Sequence, residues 1–178
     1  NKLNNQYYMK SFLPSMFYYG FPVVLLTTID KDGNADVTPI SCTFTLGTNA
    51  VIALVKLNKA YHNVMEVPEV VFNLPSAEMW EKVEAIAPYT AQNPVPPQKV
   101  GKYAYTDDKF AIGGFTQLPS EKVRVPRIAE CPIQAEAVVK QVNDRGTYAL
   151  IELEFVQVHA EDHLVMEENK INPLAWEP

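Results

Sequence analysis

The sequence predicts a mostly β fold, a barrel decorated by short helices. Three observations predict it. Runs of β-branched and apolar residues recur at strand length. Tight turn signals, Lys31-Asp32-Gly33-Asn34 and Asn143-Asp144-Arg145-Gly146, join successive runs, so sequence neighbours pair as hairpins. No Gly-x-Gly-x-x-Gly or phosphate-loop pattern is present, which speaks against a doubly wound parallel sheet.

The elements follow in order. An aromatic segment, Tyr7, Tyr8, Phe12, Phe17, Tyr18, Tyr19 and Phe21, reads as a strap (residues 1–20) packed on its own core or on a second subunit. Pro22 to Asp30 is the first strand and Ala35 to Thr45 the second, with Gly47-Thr48-Asn49 as the next turn. Val51 to Leu57 completes a three-stranded antiparallel meander. Lys59 to Glu66 reads as a short helix ended by Pro68, and Val70 to Leu74 as a buried strand. Ser76 is placed to cap a helix with Met79, Trp80, Val83, Ile86 and Ala87 on one face. Pro88, Pro94, Pro96 and Pro97 then make regular structure implausible, and the Pro88–Val100 loop is expected to cover a site or a seam. Asp107 is placed to cap a short helix through Phe110, closed by Gly113-Gly114. Ile133 to Val142 and Thr147 to His159 are long strands. The expected organisation is one domain over residues 1–178, with a helical and Pro-rich insertion at 77–114.

Bulk properties exclude several classes. The chain has 178 residues with 15 Lys plus Arg against 21 Asp plus Glu, a formal net charge of −6. That balance argues against nucleic acid or an anionic membrane surface as the main partner. The longest apolar run, Phe21 to Leu26, cannot span a bilayer. Cys42 and Cys131 match no metal-ligand spacing and suit a reducing, cytoplasmic setting. His62, His159 and His163 do not cluster as metal ligands, and His159 reads as a surface or satisfied histidine. No Ser-His-Asp or Cys-His pattern supports hydrolysis, and no catalytic dyad stands out.

Several stretches, in this order and spacing, carry a resemblance. They are Pro22-Val-Val-Leu-Leu-Thr-Thr-Ile-Asp-Lys-Asp-Gly33, Val37-Thr-Pro-Ile-Ser41, Lys59-Ala-Tyr-His-Asn63 and Val71-Phe-Asn-Leu-Pro-Ser76. Asp108-Lys-Phe-Ala-Ile-Gly-Gly114 and Arg127-Ile-Ala-Glu-Cys-Pro132 complete the set. Together they resemble the flavin reductase-like, FMN-binding split-barrel family, which includes flavoredoxin-like proteins. Two positions depart from the family's usual pattern: Ala60 stands where Thr is common, and Asp36 where many members have Asn.

The resemblance implies non-covalently bound FMN at the interface of a homodimer, with NADH or NADPH as co-substrate and hydride transfer through the flavin. It implies that the end of the first strand, with Thr27, Thr28 and Asp30, lines the ring and ribityl chain. An acid near the ring would oppose the negative charge that develops on reduction, so Asp30 reads more readily as beginning the Asp-Gly turn. A flavin phosphate is best held by hydroxyls, backbone N–H groups and cations. Ser41, Cys42 and Thr43 at a strand end, and Lys56 and Lys59 around a helix start, are the candidates. Asn63 is a polar orienter, whereas Asn73 in Phe-Asn-Leu-Pro reads as satisfying backbone groups at a strand exit. Two other functions stay open on these residues: a non-enzymatic FMN electron carrier docking a redox partner, and a split-barrel module binding another cofactor such as haem.

Overall fold

In the computed structural model the described residues are 9–14, 17 and 19–177, so Tyr7, Tyr8 and Tyr18 of the aromatic segment lie outside them. Strand β1 (Val24–Ile29) turns through Gly33, at φ 84°, into β2 (Ala35–Ile40). The sequence predicts one strand from Ala35 to Thr45. The structure instead breaks it at Ser41-Cys42 and starts β3 at Thr43–Leu46. The cause is a change of partner. β2 pairs with β1, placing Val24 opposite Ile40, whereas β3 pairs with β4 (Asn49–Val55), placing Thr43 opposite Ile52. A tight turn from Thr43 N to Ser41 O (3.0 Å) makes the switch.

Helix α1 (Lys59–Glu66) and β5 (Glu69–Leu74) follow, then the long antiparallel pair β8 (Ile133–Asp144) and β9 (Tyr148–Ala160). The main sheet runs β2-β1-β5-β8-β9-β4-β3, and every pairing in it is antiparallel. Its two end strands, β2 and β3, are contiguous in sequence, so one stretch of chain joins the two edges and the sheet curls into a split barrel. Register shifts in the β8–β9 pair, at Glu136/Ala137 and Val139/Gln141, bend these long strands around it.

The barrel interior is filled by Leu26, Ile52, Leu54, Phe72, Ile151 and Leu153. A second core lies on the outside, where Leu25 and Val37 meet α2 (Trp80–Ile86) and α3 (Lys109–Gly113) through Met79, Ile86, Phe110 and Phe115. All of β1 is therefore buried, which explains why it reads as a continuous apolar run without alternation. Small pairings β6 (Gln117–Leu118) with β7 (Arg127–Ile128), and β10 (Val165–Met166) with β11 (Lys170–Ile171), complete the chain.

Three local expectations are corrected. Ser76 precedes a 3-10 turn, Ala77–Met79, and its side chain makes no cap hydrogen bond. Trp80 points away from the buried face and is 63% exposed, because one residue on from Met79 is a step of about 100° round the helix, off the Met79-Val83-Ile86 stripe. Asp108, not Asp107, sits at the start of α3, with its N–H donating to Thr106 Oγ1 (3.1 Å). Gly114 closes α3 in the left-handed region, at φ 61°.

Candidate functional site

Helix α1 starts against the Pro-rich loop. Asn58 occupies the N-cap position with extended backbone, yet its side chain makes no cap bond. The reason is a competing donor: Asn58 Oδ1 accepts from Lys99 Nζ. Lys99 Nζ also donates to Thr90 O and Thr90 Oγ1, both at 3.2 Å. Asn58 bridges to Ala91, and the loop is thereby lashed across the head of the helix. A cavity of about 370 Å³ opens beside it, walled by Asp30, Lys59, Asn63, Gln92, Asn93 and Tyr105 among others. Lys59 Nζ lies 5.6 Å from the centre of the Tyr105 ring.

Within electrostatic reach of Lys59 is a buried ion pair. Lys109 Nζ lies 2.9 Å from Asp36 Oδ1 and also donates to Thr38 Oγ1 (3.3 Å). The two charged side chains are 1% and 3% exposed. Burial pushes the Asp36 carboxyl up and the Lys109 ammonium down, and each partner's charge opposes the other's drift. Lys59 also attracts Asp36 and repels Lys109. Lys99 is pushed down by burial and further by the charge of Lys109. The negative charge that Asp36 introduces is thus answered inside the protein.

The predicted residues fall into four places. Asp30, Lys59 and Asn63 share the cavity. Thr27 and Thr28 are fully buried and already bonded: Thr27 Oγ1 donates to Pro126 O (2.7 Å), and Thr28 Oγ1 accepts from Asn63 Nδ2 (2.9 Å). Their hydroxyls tie strands and helix together, so they do not face the cavity. Ser41, Cys42 and Thr43 sit at the corner where the chain changes sheet edge. Thr43 borders an apolar groove with Phe21, Phe44, Phe72 and Phe155, and its buried Oγ1 has no hydrogen-bond partner. Lys56 is drawn away to the β8–β9 turn, where it pairs with Asp144 at 2.5 Å, and it does not join Lys59.

Asp30 itself holds the hairpin turn. Its Oδ1 accepts from Asp32 N (3.0 Å) and Asn34 N (2.9 Å). Burial raises its carboxyl, but the bonds from Asn34 and Asp32 outweigh this and leave it below the usual carboxylate range. Asn73 donates to Leu25 O (2.9 Å) and accepts from Ile128 N (2.7 Å), the backbone role read for it from the sequence. His159 is satisfied by Glu136 at 2.7 Å. Sequence reasoning missed Lys99 as a site residue. It also missed Lys109, although the Asp-Lys-Phe stretch contains it. Among the described residues no group of His, Cys, Asp and Glu is arranged to hold a metal ion.

The strand topology is that of a flavin reductase-like split barrel. The chain belongs to the flavin reductase like domain family, which it matches over residues 16–177. It is 36% identical over 174 residues to the uncharacterized protein YdfE of Bacillus subtilis (strain 168), covering 95% of this chain and 84% of that protein. Among solved structures it is similar to the flavoredoxin of Desulfovibrio vulgaris (Miyazaki F), with TM-score 0.76 and 18% identity over 93% of this chain and 83% of that one. It is also similar to an FMN-binding protein from Thermus thermophilus with bound 1-cyclohex-2-enone, with TM-score 0.70 and 13% identity over 94% and 86%. Among the described residues no helix is long and apolar enough to cross a membrane.

Proposed function

We propose that this protein is an FMN-dependent oxidoreductase that takes its electrons from NADH or NADPH. The observation that carries the reading is the head of α1. Its cap side chain is diverted, and Lys59 lines a polar cavity in a member of the flavin reductase-like family. A phosphate there would meet first-turn N–H groups, the positive end of the helix and the Lys59 ammonium. Asp30, Asp32 and Glu66 also line the cavity, but Asp30 is engaged by turn N–H groups and Glu66 by Lys31 N (3.1 Å), and Asp36 is neutralised by Lys109, so Lys59 and the helix head suit a phosphorylated flavin despite Ala60. Bound flavin would accept a hydride and pass electrons on. The chain's part is to hold the phosphate, keep one ring face reachable and exclude competing acceptors. No side-chain acid or base is required for that step.

The homodimer belongs to the same proposal. Phe17, Tyr19, Phe21, Phe44, Leu46 and Trp80 are all exposed, and the rings of Tyr19 and Phe21 meet at a tilt with their centres 4.5 Å apart. Exposed aromatic and apolar side chains of this kind suit a surface covered by a second subunit. Light scattering should give a particle of twice the chain mass.

The deciding experiment combines the absorption spectrum of the purified protein with steady-state oxidation of NADH and NADPH in the presence of FMN. Flavin-dependent turnover with one nucleotide supports the proposal. Bound FMN without turnover points to a carrier, and a haem-type spectrum refutes flavin as the cofactor.

A further inference from the structure

Lys99 is a buried cation that nothing in the flavin reading assigned. It is 7% exposed, and its three hydrogen-bond acceptors, Asn58 Oδ1, Thr90 O and Thr90 Oγ1, are all neutral. Its Nζ also lies 5.0 Å from the Tyr103 ring centre, another uncharged neighbour. The other two lysines of this region have carboxylates. Asp36 is bonded to Lys109, and Asp30 is attracted by Lys59. No ion pair of Lys99 is found among the described residues. A buried ammonium without a counter-ion is costly, and a ligand anion nearby would relieve that cost.

Its position suits that ligand. Asn is among the preferred N-cap residues because its side-chain oxygen accepts from first-turn N–H groups. Here Lys99 takes that oxygen, so the helix has no side-chain cap, and of its first-turn N–H groups Lys59 N is bonded to Thr90 O. The same ammonium grips Thr90, whose carbonyl also accepts from Lys59 N (3.4 Å). Lys99 therefore holds the start of α1 and the Pro-rich wall of the cavity in one arrangement. Its charge sits on the N-cap residue of α1.

We propose that Lys99 is a positioning residue that sets the preference for a phosphorylated flavin over an unphosphorylated one. It keeps Asn58 from capping α1 and leaves a positive charge there for the phosphate to balance. This rests on the flavin reading above and extends it to a residue that acts through Asn58 and through its field.

The test is titration of the full chain, freed of bound flavin, with FMN and with riboflavin, followed by flavin fluorescence. Lys99→Gln keeps a hydrogen-bond donor and removes the charge. It should lower the FMN-to-riboflavin affinity ratio about tenfold, the scale of one charge lost near a partly solvated phosphate. Riboflavin affinity should hold. Lys99→Arg should restore the ratio, a rescue that a merely space-filling role would not need. Asn58→Asp supplies the missing carboxylate with almost no change of shape and should also lower the ratio, which keeps the test usable if Lys99→Gln folds poorly. An unsubstituted protein that prefers FMN, with the same ratio in Lys99→Gln or in Asn58→Asp, overturns the role of Lys99 and leaves the flavin reading intact. Failure of the unsubstituted protein to bind either flavin would remove both.

Discussion

Replacing Lys109 by Met tests the buried Asp36–Lys109 pair. The substitution keeps the length and apolar stem of the side chain and removes its charge. Asp36, 3% exposed, would keep Thr38 Oγ1 at 3.3 Å but lose the ammonium at 2.9 Å. Removing one partner of a buried pair costs about 3–5 kcal/mol, because the other charge stays buried and uncompensated. At about 2–4 °C per kcal/mol for a chain of this size, the melting temperature should fall by roughly 6–20 °C. Asp36→Asn in the same chain removes the stranded carboxylate, so the double variant should recover stability relative to Lys109→Met, with a coupling of about 2 kcal/mol. The pH dependence has a definite sign. The Asp36 carboxyl is raised in the folded state. A raised acid contributes stability below its unfolded pKa and loses it as pH rises through the folded value. Without Lys109 the rise loses its largest offset and only Lys59 and Thr38 still oppose it, so the deficit of Lys109→Met should grow from mildly acidic to neutral pH. Urea unfolding followed by circular dichroism at several pH values measures all three quantities. A loss below about 1 kcal/mol at neutral pH, or additive behaviour of the two substitutions, would refute the reasoning.

Three further predictions concern single groups. Lys59→Ala should weaken FMN by about 1.5–3 kcal/mol, roughly 10- to 150-fold, and riboflavin hardly at all; equal losses in calorimetric titrations would place the phosphate elsewhere. Glu136 is fully buried and accepts from Glu121 N (2.9 Å), Lys122 N (2.6 Å), Val123 N (3.2 Å) and His159. Burial raises its carboxyl, yet these bonds win and hold it below the usual range. Its contribution is present above the unfolded pKa and lost as pH falls through the folded one, so thermal melts of Glu136→Gln should be less stable near neutrality and flatter below pH 5; parallel curves for the two proteins would exclude the role. Cys131 is 2% exposed, with burial pushing its thiol up to about 12, whereas Cys42 is exposed. Iodoacetamide should therefore label Cys42 in the native protein and Cys131 only after unfolding, as peptide mass spectrometry would show.

Much of this molecule is local and so legible in the residues. Pattern and turn chemistry specify β1, the Asp-Gly hairpin and α1, and Lys59–Glu66 forms with the bounds its sequence predicts. Asp30 capping its own turn and Asn73 satisfying backbone groups were readable for the same reason, since each residue type has few ways to bond at such a place. The site was readable only in part. Lys59 and Asn63 lie one helical turn apart and share the cavity through their own helix. Thr27 and Thr28 looked equally able to meet a ligand. Whether a strand hydroxyl faces inward depends on what covers the strand, and here Pro126 and Asn63 claim them.

The sequence by itself determined most of the strands, the tight turns, the bounds of α1 and the family, because these follow from dihedral preferences and apolar period along a short stretch of chain. Tertiary structure alone decided the break at Ser41-Cys42, the capture of Lys56 by Asp144, the Asp36–Lys109 pair and the grip of Lys99 on Asn58. Each joins residues whose distance in space is set by closure of the barrel. An ammonium on a flexible stem bonds whichever oxygen closure brings within reach, and no local pattern of residues encodes that choice.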